Sequence, residues 1–204
     1  MNAIKHQIEN IKQRYYEWIC MNASASDRLN DYQATIMEKI TDAPAIKRLA
    51  TEAPLTFIRV LAIKKLTDPE TLRRIAREGP TPAIRELAIQ QINDEDTLNR
   101  AALNDPDAQV RKAAIHKVTN PETLLNVALM DQDSGNRKLA VEKIDDPETL
   151  AAIARQEINS DVFFAAADKI TDSEDREELS LTTACEYIRE NAVKKLTDEK
   201  ALIK

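Results

Sequence analysis

Two columns of cations are the residues best suited to chemistry in this chain of 204 residues. A guanidinium fork binds phosphate or carboxylate through paired hydrogen bonds, and a row of evenly spaced charges suits nucleic acid. The arginine column recurs at multiples of 26 residues, interrupted by Gln33 and Phe163: Arg59, Arg85, Arg111, Arg137 and Arg189. The lysine column has the same period: Lys39, Lys65, Lys117, Lys143, Lys169 and Lys195. Each column is therefore either a track for an anionic ligand or a set of internal contacts.

The surroundings of both columns favour internal contacts. The chain has a net charge of −6 and a pI near 5.1, whereas nucleic acid and anionic membranes reward clustered cations. Cations also stabilise the C-terminal end of a helix. Most of the lysines are followed, three residues later, by an aspartate: Asp42, Asp68, Asp146, Asp172 and Asp198. We predict that the arginines bond to acidic turn residues of the neighbouring repeat, and that the lysines cap helix ends and are neutralised by these aspartates.

Catalytic chemistry has little support in the sequence. The chain has two glycines, too few for a loop that cradles phosphate. His6 and His116 are far apart, and neither has a cysteine or histidine at metal-ligand spacing. Cys20 and Cys185 lie at opposite ends of the chain, so we expect two reduced thiols and no disulfide. We predict a non-enzymatic protein that needs no cofactor or metal and has no small-molecule substrate.

The elements that position these residues are repeats of 26 residues without an insertion. A period of this size is typical of a stack of helical or similar units, each of which buries its apolar side on its neighbours. The register is marked by one small or apolar column: Ile36, Ala62, Ala88, Ala114, Ala140, Ala166 and Ala192. We predict about seven repeats in one continuous domain over residues 28–204, preceded by a capping helix over residues 1–27.

Each repeat has the pattern of two short helices. Apolar residues within 108–118 gather on one side of a helix, which is the second helix of its repeat. The first helix of the following repeat is predicted to have about ten residues. Its start is indicated by Asn120 at the N-cap and Pro121 at the first helical position. In other repeats the N-cap is an aspartate, at Asp68, Asp94, Asp146, Asp172 and Asp198, and Pro69 and Pro147 again take the first helical position. Gly79, followed by Pro80, predicts a left-handed residue at the end of one first helix.

The two ends of the chain differ from the repeats. A stripe of apolar residues predicts an amphipathic N-terminal helix that covers the first repeat as a lid. Its members are Ile4, Ile8, Ile11, Tyr15 and Ile19, with Tyr16 and Trp18 adding aromatic surface. At the other end, residues 201–204 only begin a helix, so we expect the C-terminal end of the stack to be poorly capped.

The run 104–114, an acidic turn followed by Val-Arg and then Ala, resembles the second-helix signature of HEAT-like repeats. The compact period and short first helix resemble the bacterial leucine-rich repeat variant proteins. The resemblance covers residues 28–204 and implies an all-α, right-handed α-solenoid of the HEAT/armadillo type, with second helices on its concave side. The variant prototype carries an iron–sulfur cluster on grouped cysteines, which this chain lacks, so the cluster is not expected here.

The second helices should leave one stripe exposed to solvent, at positions equivalent to Gln109, Lys112 and His116. Large apolar side chains on such a stripe can mark a recognition surface. The alternative is that Phe57 and Val60 contact the N-terminal lid, and that Phe163 and Phe164 fill space left by a degenerate helix over residues 173–183, where Arg176 replaces a leucine. On the first interpretation the candidate partner-binding residues are Phe57, Val60, Lys112, His116, Lys138, Phe164 and Tyr187.

Repeats of this class serve as scaffolds, transport receptors, chromophore lyases and DNA-binding enzymes. We predict a scaffold that binds a protein partner on its concave surface. We expect it to be cytoplasmic, because no apolar run reaches the roughly 18 residues of a membrane span. The N-terminus also lacks the apolar core of a signal peptide. Two alternatives stay open: nucleic-acid binding through the cation columns, and an activity of the chromophore-lyase type.

Overall fold

The computed structural model describes residues 2–22 and 34–170, together with separate positions between 178 and 190. Throughout these residues the secondary structure is helical, with no strand, which confirms the predicted all-α class. Several predictions fall outside the described residues: those on Gln33, Asp172, Cys185, Tyr187, Lys195, Asp198 and the C-terminal end at 201–204.

The chain divides into two compact units, Met1–Ile92 and Asn93–Lys204. The described helices of unit 1 are α1 (Asn2–Met21), α2 (residues 34–39), α3 (Ala43–Glu52), α4 (Thr56–Lys65), α5 (Pro69–Glu78) and α6 (Pro82–Gln91). Those of unit 2 are α7 (Glu95–Asn104), α8 (Ala108–Lys117), α9 (Pro121–Met130), α10 (Ser134–Lys143), α11 (Pro147–Gln156) and α12 (Ser160–Ala167). The predicted continuity of residues 28–204 as one domain stays a prediction.

The helix boundaries repeat the predicted register. First helices begin at 43, 69, 95, 121 and 147, and second helices at 56, 82, 108, 134 and 160, so every start is 26 residues from the last. Every helix from α3 to α11 has 10 residues, as expected for the first helices. Each first helix packs on its own second helix, and in both units second helices pack on second helices. This consecutive stacking of pairs is the arrangement of an α-solenoid.

The first helices start where the sequence predicts. Asp42, Asp68, Asp94, Asn120 and Asp146 are N-caps, and each side chain accepts a hydrogen bond from the backbone N–H three residues later. Three of these helices have proline at their first position, where no N–H is required: α5, α9 and α11. Helices this short are marginal alone, so their stability comes from the apolar faces buried between pairs.

Gly79 does not adopt the predicted left-handed conformation. Its φ of −55° and ψ of 137° are those of an ordinary residue leaving a helix, and its N–H bonds to the carbonyl of Ile75 at 2.8 Å. Asp105 and Asp131 end α7 and α9 with a similar backbone. The prediction was wrong because the repeat ends its first helices with an extended residue, which requires no glycine.

The N-terminal segment forms the predicted helix α1, but a different face packs on the repeats. Gln13 and Cys20 are buried, whereas Ile11 and Trp18 are 67% and 61% exposed and Tyr15 is also exposed. The predicted apolar stripe is therefore wrong at Ile11 and Tyr15, whereas Ile19 is half-buried. The side chains of Ile4 and Ile8 are outside the described residues.

Polar contacts explain the orientation of α1. The Gln13 amide nitrogen donates to the carbonyl of Lys39 at 3.1 Å, and its oxygen accepts from the N–H of Thr41 at 2.8 Å. One turn further, Glu17 accepts two hydrogen bonds from the guanidinium of Arg48, at 2.5 and 2.7 Å. Gln13 thus satisfies backbone groups at the end of α2 and in the loop that follows it, and Glu17 pairs with α3. These contacts place Gln13 and Glu17 toward the repeats and leave Ile11 and Tyr15 exposed.

Candidate binding surface

The described members of the predicted binding set lie on second helices with accessible side chains. In unit 1, Phe57 is 39% exposed and Val60 is half-buried. In unit 2, Lys112, His116 and Lys138 are exposed and Phe164 is half-buried. Contact of Phe57 and Val60 with the N-terminal lid stays a prediction. The remaining member, Tyr187, is outside the described residues.

A groove in unit 2 brings two of these residues together. Lys138 from α10 and Phe164 from α12 line the same groove, which has a volume of about 360 Å³. Its other walls are charged or small side chains: Glu142, Asp161, Ala165, Asp168 and Lys169. The structure therefore assembles an aromatic ring and five charged side chains between neighbouring second helices.

The ring of Phe164 is held by the residue before it. Phe163 is fully buried, and its ring meets that of Phe164 edge to face, with centroids 5.4 Å apart and planes at 82°. Phe163 thus fills core space at the position where the arginine column is interrupted. That a degenerate helix over residues 173–183 leaves this space stays a prediction. Phe164 lies between this core and the groove, so it belongs to both.

The arginine column forms the predicted ladder in unit 2. Arg111 donates from Nε and Nη2 to the two carboxylate oxygens of Asp131, both at 2.8 Å. Arg137 makes the same paired contact with Glu157, at 2.8 and 3.0 Å. Both carboxylates lie in the turn of the following repeat, and all four side chains are largely buried. These guanidinium groups are therefore occupied by internal partners.

The ladder also uses backbone carbonyls. Nη1 of Arg111 donates to the carbonyl of Asp105 at 2.9 Å, and Nη1 of Arg137 donates to that of Asp131 at 2.9 Å. In unit 1 the equivalent bonds run from Arg59 to Ala53 and from Arg85 to Gly79. Each arginine thus closes the turn between the two helices of its own repeat.

Charge and hydrogen bonding set the protonation of the acidic partners. Burial alone would raise the pKa of Asp131, but the hydrogen bonds from Arg111 and from the N–H of Asp133, with the Arg111 charge, hold it below its ordinary value. Burial opposes Arg137 and the N–H of Asn159 in the same way at Glu157, whose pKa is also lowered. The hydrogen bonds of Asp131 and Glu157 raise the pKa of Arg111 and Arg137 respectively. Both pairs are therefore ionic at neutral pH.

The lysine column caps helices, but in the preceding repeat. The ammonium of Lys143 donates to the carbonyls of Ile115, His116 and Val118 at the end of α8, at 2.8, 2.8 and 2.6 Å. In unit 1, Lys65 binds three carbonyls at the end of α2 in the same way: those of Met37, Glu38 and Ile40. The capping role is confirmed, and the helix end that each of these lysines caps belongs to the preceding second helix.

The predicted neutralisation of the lysines by aspartates is seen at one described position in a different form. Lys169 binds the carbonyls of Glu142 and Ile144 and also pairs with the carboxylate of Asp145 at 3.0 Å. The aspartates that follow the lysines by three residues act instead as N-caps, as at Asp42, Asp68 and Asp146. Partial burial lowers the pKa of Lys143, an effect that the negative charge of Glu95 opposes.

Sequence reasoning missed Asn136. This residue takes the position held by Ile84, Val110 and Val162 in other repeats, and its side chain is buried. Its amide donates to the carbonyl of Ala108 at 3.1 Å and to the Asp131 carboxylate at 3.3 Å. The signal was available, since Asn136 is polar in an otherwise apolar column of the described second helices.

Metal binding, membrane insertion and thiol chemistry can each be examined among the described residues. Among them, no group of three or more histidine, cysteine, aspartate or glutamate side chains is placed to hold a metal ion. No helix in the same part of the chain has the length and apolarity of a membrane span. Cys20 is a buried free thiol, and burial raises its pKa to about 11, which disfavours the nucleophilic thiolate.

Comparisons of this chain with protein-family models, with curated proteins and with solved structures found no match. The class that the fold defines is an all-α protein of repeated helix pairs.

Proposed function

We propose that this protein is a non-enzymatic scaffold of the cytoplasm that binds a protein partner along the exposed stripe of its second helices. We further propose that the repeats are HEAT-like and that the stripe lies on the concave side of a right-handed superhelix. The stripe is represented in unit 1 by Phe57 and Val60 and in unit 2 by Lys112, Lys138 and Phe164.

The supporting observation is a separation of roles on the second helices of unit 2. Arg111, Arg137 and Lys143 point their charges at carboxylates and carbonyls of neighbouring turns. The side chains of Lys112, His116 and Lys138, on the same helices, are exposed. Because the side chains of this stripe are neither in the core nor in the ladder, their residue types can suit a partner without loss of folding. A rigid surface also avoids the entropy cost of ordering loops on binding.

The same observation disfavours nucleic-acid binding through the cation columns. A phosphate track requires cations that are available to exchange counterions for phosphates. Arg111, Arg137, Lys65 and Lys143 already hold two or more internal hydrogen bonds each. Binding to a phosphate would break the contacts that join the repeats.

Site-specific photo-crosslinking tests the proposal. A benzophenone amino acid is placed at Lys112 or Lys138 on the stripe, and at the exposed Glu122 of α9 as a matched control. In its native cells, the protein should form the same discrete adduct from both stripe positions and none from Glu122. Adducts from Glu122 alone, or adducts of equal yield from all three positions, would contradict the stripe as the binding surface.

Truncation of the aromatic residues then separates binding from folding. Once the adduct identifies the partner, Phe57→Ala and Phe164→Ala are compared for thermal stability and for affinity. Removal of an aromatic anchor commonly costs about 2 kcal/mol of binding energy, so affinity should fall about 30-fold with folding retained. A large loss of stability with unchanged affinity would place both rings in the core alone.

A further inference from the structure

The junctions between successive second helices are not fastened equally. Between α8 and α10, the pair of Arg111 with Asp131 holds one end of the contact and the ammonium of Lys143 holds the other. We propose that the junction between α4 and α6 in unit 1, which has neither fastening among the described residues, is a weak joint. At this joint α3 and α4 open from α5 and α6 before the rest of the chain unfolds. This inference does not depend on the proposed scaffold function.

The lysine fastening is replaced by a glutamine. Gln91 stands 26 residues after Lys65 and 52 residues before Lys143, so the helix end that it would serve is that of α4. At both equivalent positions an ammonium binds three carbonyls at the end of the preceding second helix. The side-chain Nε2 of Gln91 is buried and has no hydrogen-bond partner among the described residues. A glutamine side chain is shorter than that of lysine and carries no charge, so the end of α4 does not receive this contact.

The end of α4 has the same backbone as the helix ends that lysines cap. Its last residue, Leu66, has φ −73° and ψ 127°, compared with −60° and 136° at Val118 and −90° and 130° at Ile144. Lys143 binds at the second of these ends and Lys169 at the third. The carbonyls of α4 are therefore arranged for an ammonium, and the missing part is the donor at position 91.

The arginine fastening is also missing at this junction. Arg59 occupies the column position of Arg111, but the residue 20 positions later is Gly79 instead of an acidic residue. The Nε of Arg59 donates to the carbonyl of Ala53 in its own repeat, whereas the Nε of Arg111 donates to a carboxylate of the following repeat. Because Gly79 has no side chain, Arg59 closes the turn of its own repeat without a carboxylate at the next turn.

Apolar packing remains between the two repeats. The helices α4 and α6 pack on each other, with Ala62 and Ala88 fully buried. A polar contact also joins the repeats, between Lys47 and Asp68 at 3.3 Å, but the two side chains are 49% and 42% exposed, and such pairs contribute little to stability. Since apolar contacts are non-directional, they fix the position of one helix along another less strictly than paired hydrogen bonds do. The joint should therefore open at a lower cost than the junction between α8 and α10.

Hydrogen–deuterium exchange of the full chain, measured by mass spectrometry of peptides, tests the inference. Amides of α3 and α4 should exchange at least about tenfold faster than those of α10, because they exchange through the joint. Their rates should also rise less steeply with guanidinium, since this partial opening exposes less surface than complete unfolding. Equal rates with equal guanidinium slopes in both units would show a single global unfolding and would overturn the inference.

Two matched variants test whether the ammonium is what the joint lacks. Gln91→Lys supplies the donor and should slow exchange of α3 and α4 at least about tenfold, with less than a twofold change in α10. Gln91→Met supplies an apolar stem without the ammonium and should slow the same amides less than about threefold. Unchanged exchange of α3 and α4 in Gln91→Lys, or equal slowing by both variants, would mean that the inference is wrong.

The reciprocal variant removes the same fastening where it is present. Lys143→Met should speed exchange of the α8 amides at least about tenfold and change α3 and α4 less than twofold. Unchanged exchange in α8 would refute the idea that these lysines control opening. If Gln91→Lys does not fold, the guanidinium slopes of the wild type and this reciprocal variant decide the question.

Discussion

The carboxylate of Asp131 accepts hydrogen bonds from both Nε and Nη2 of Arg111, a residue 20 positions earlier in the preceding repeat. The backbone carbonyl of Asp131 is bound at the same time by Arg137. One turn residue therefore connects two successive arginines, and Glu157 continues the series.

Loss of the Asp131 carboxylate should destabilise the protein strongly. Asp131→Asn leaves the Arg111 charge largely buried without its ionic partner, and removal of one member of such a pair typically costs about 3 kcal/mol. The measurement is the shift of the urea midpoint. Asp145→Asn is the control, because Asp145 is 94% exposed in its pair with Lys169 and should contribute less than about 1 kcal/mol. Equal shifts would mean that the ladder has no special role.

Acid should weaken the ladder. The folded pKa values of Asp131 and Glu157 lie below their ordinary values, so the stabilisation is fully present above about pH 4.3 and is lost as pH falls through the lowered folded values. The melting temperature should fall between pH 5 and pH 3 more in the wild type than in the variant Asp131→Asn with Glu157→Gln. Parallel pH profiles for the two proteins would exclude this origin.

The lysine contacts should matter through the ammonium and not through the stem. Lys143→Met keeps an apolar stem but removes the donor to three carbonyls at and just after the end of α8, with an expected loss of about 2 kcal/mol. Lys138→Met, an exposed lysine on the same helix, should change stability by less than about 0.5 kcal/mol. Chemical denaturation of both variants gives the comparison, and a neutral Lys143→Met would contradict the capping role.

Much of the fold was predictable because each local signal, an N-cap residue or an apolar helical face, recurs in several repeats. At an N-cap, the side chain of Asp94 or Asn120 accepts a hydrogen bond from a backbone N–H only three residues later, so the signal is local. The 26-residue period then places every described helix start from α3 onward. The helix end that Lys143 serves was not predictable, because a charge at a C-terminus fits its own dipole as well as that of its neighbour. The exposed face of α1 was missed because Gln13, a single polar residue, outweighs an apolar periodicity.

Removal of one whole repeat should preserve the architecture. Deletion of residues 121–146 joins Asn120 to Pro147, which recreates an N-cap followed by proline, and places Glu157 at the same sequence separation from Arg111 that Asp131 had. The shortened chain should give a cooperative thermal transition by circular dichroism. Deletion of residues 121–133 removes α9 alone and should abolish cooperative melting. Identical melts for the two deletions would refute the register.

The thiol of Cys20 should be nearly inert in the folded protein. Burial raises its pKa to about 11, so little thiolate exists at pH 8, and access is blocked. In a Cys185→Ser background, Ellman's reagent should react at least about tenfold more slowly with native than with guanidinium-unfolded protein. Rapid native reaction would show that α1 detaches from the first repeat.

The arginine ladder and the lysine caps together have a mechanical consequence. Arg111 fastens the start of α8 to the turn before α10, and Lys143 at the end of α10 fastens the end of α8. Sliding one of these helices along the other by a single turn, about 5.4 Å, must rupture both fastenings together. Under tension we therefore expect α8 and α10 to stay in place up to a threshold force and then to separate in a single step, without gradual sliding.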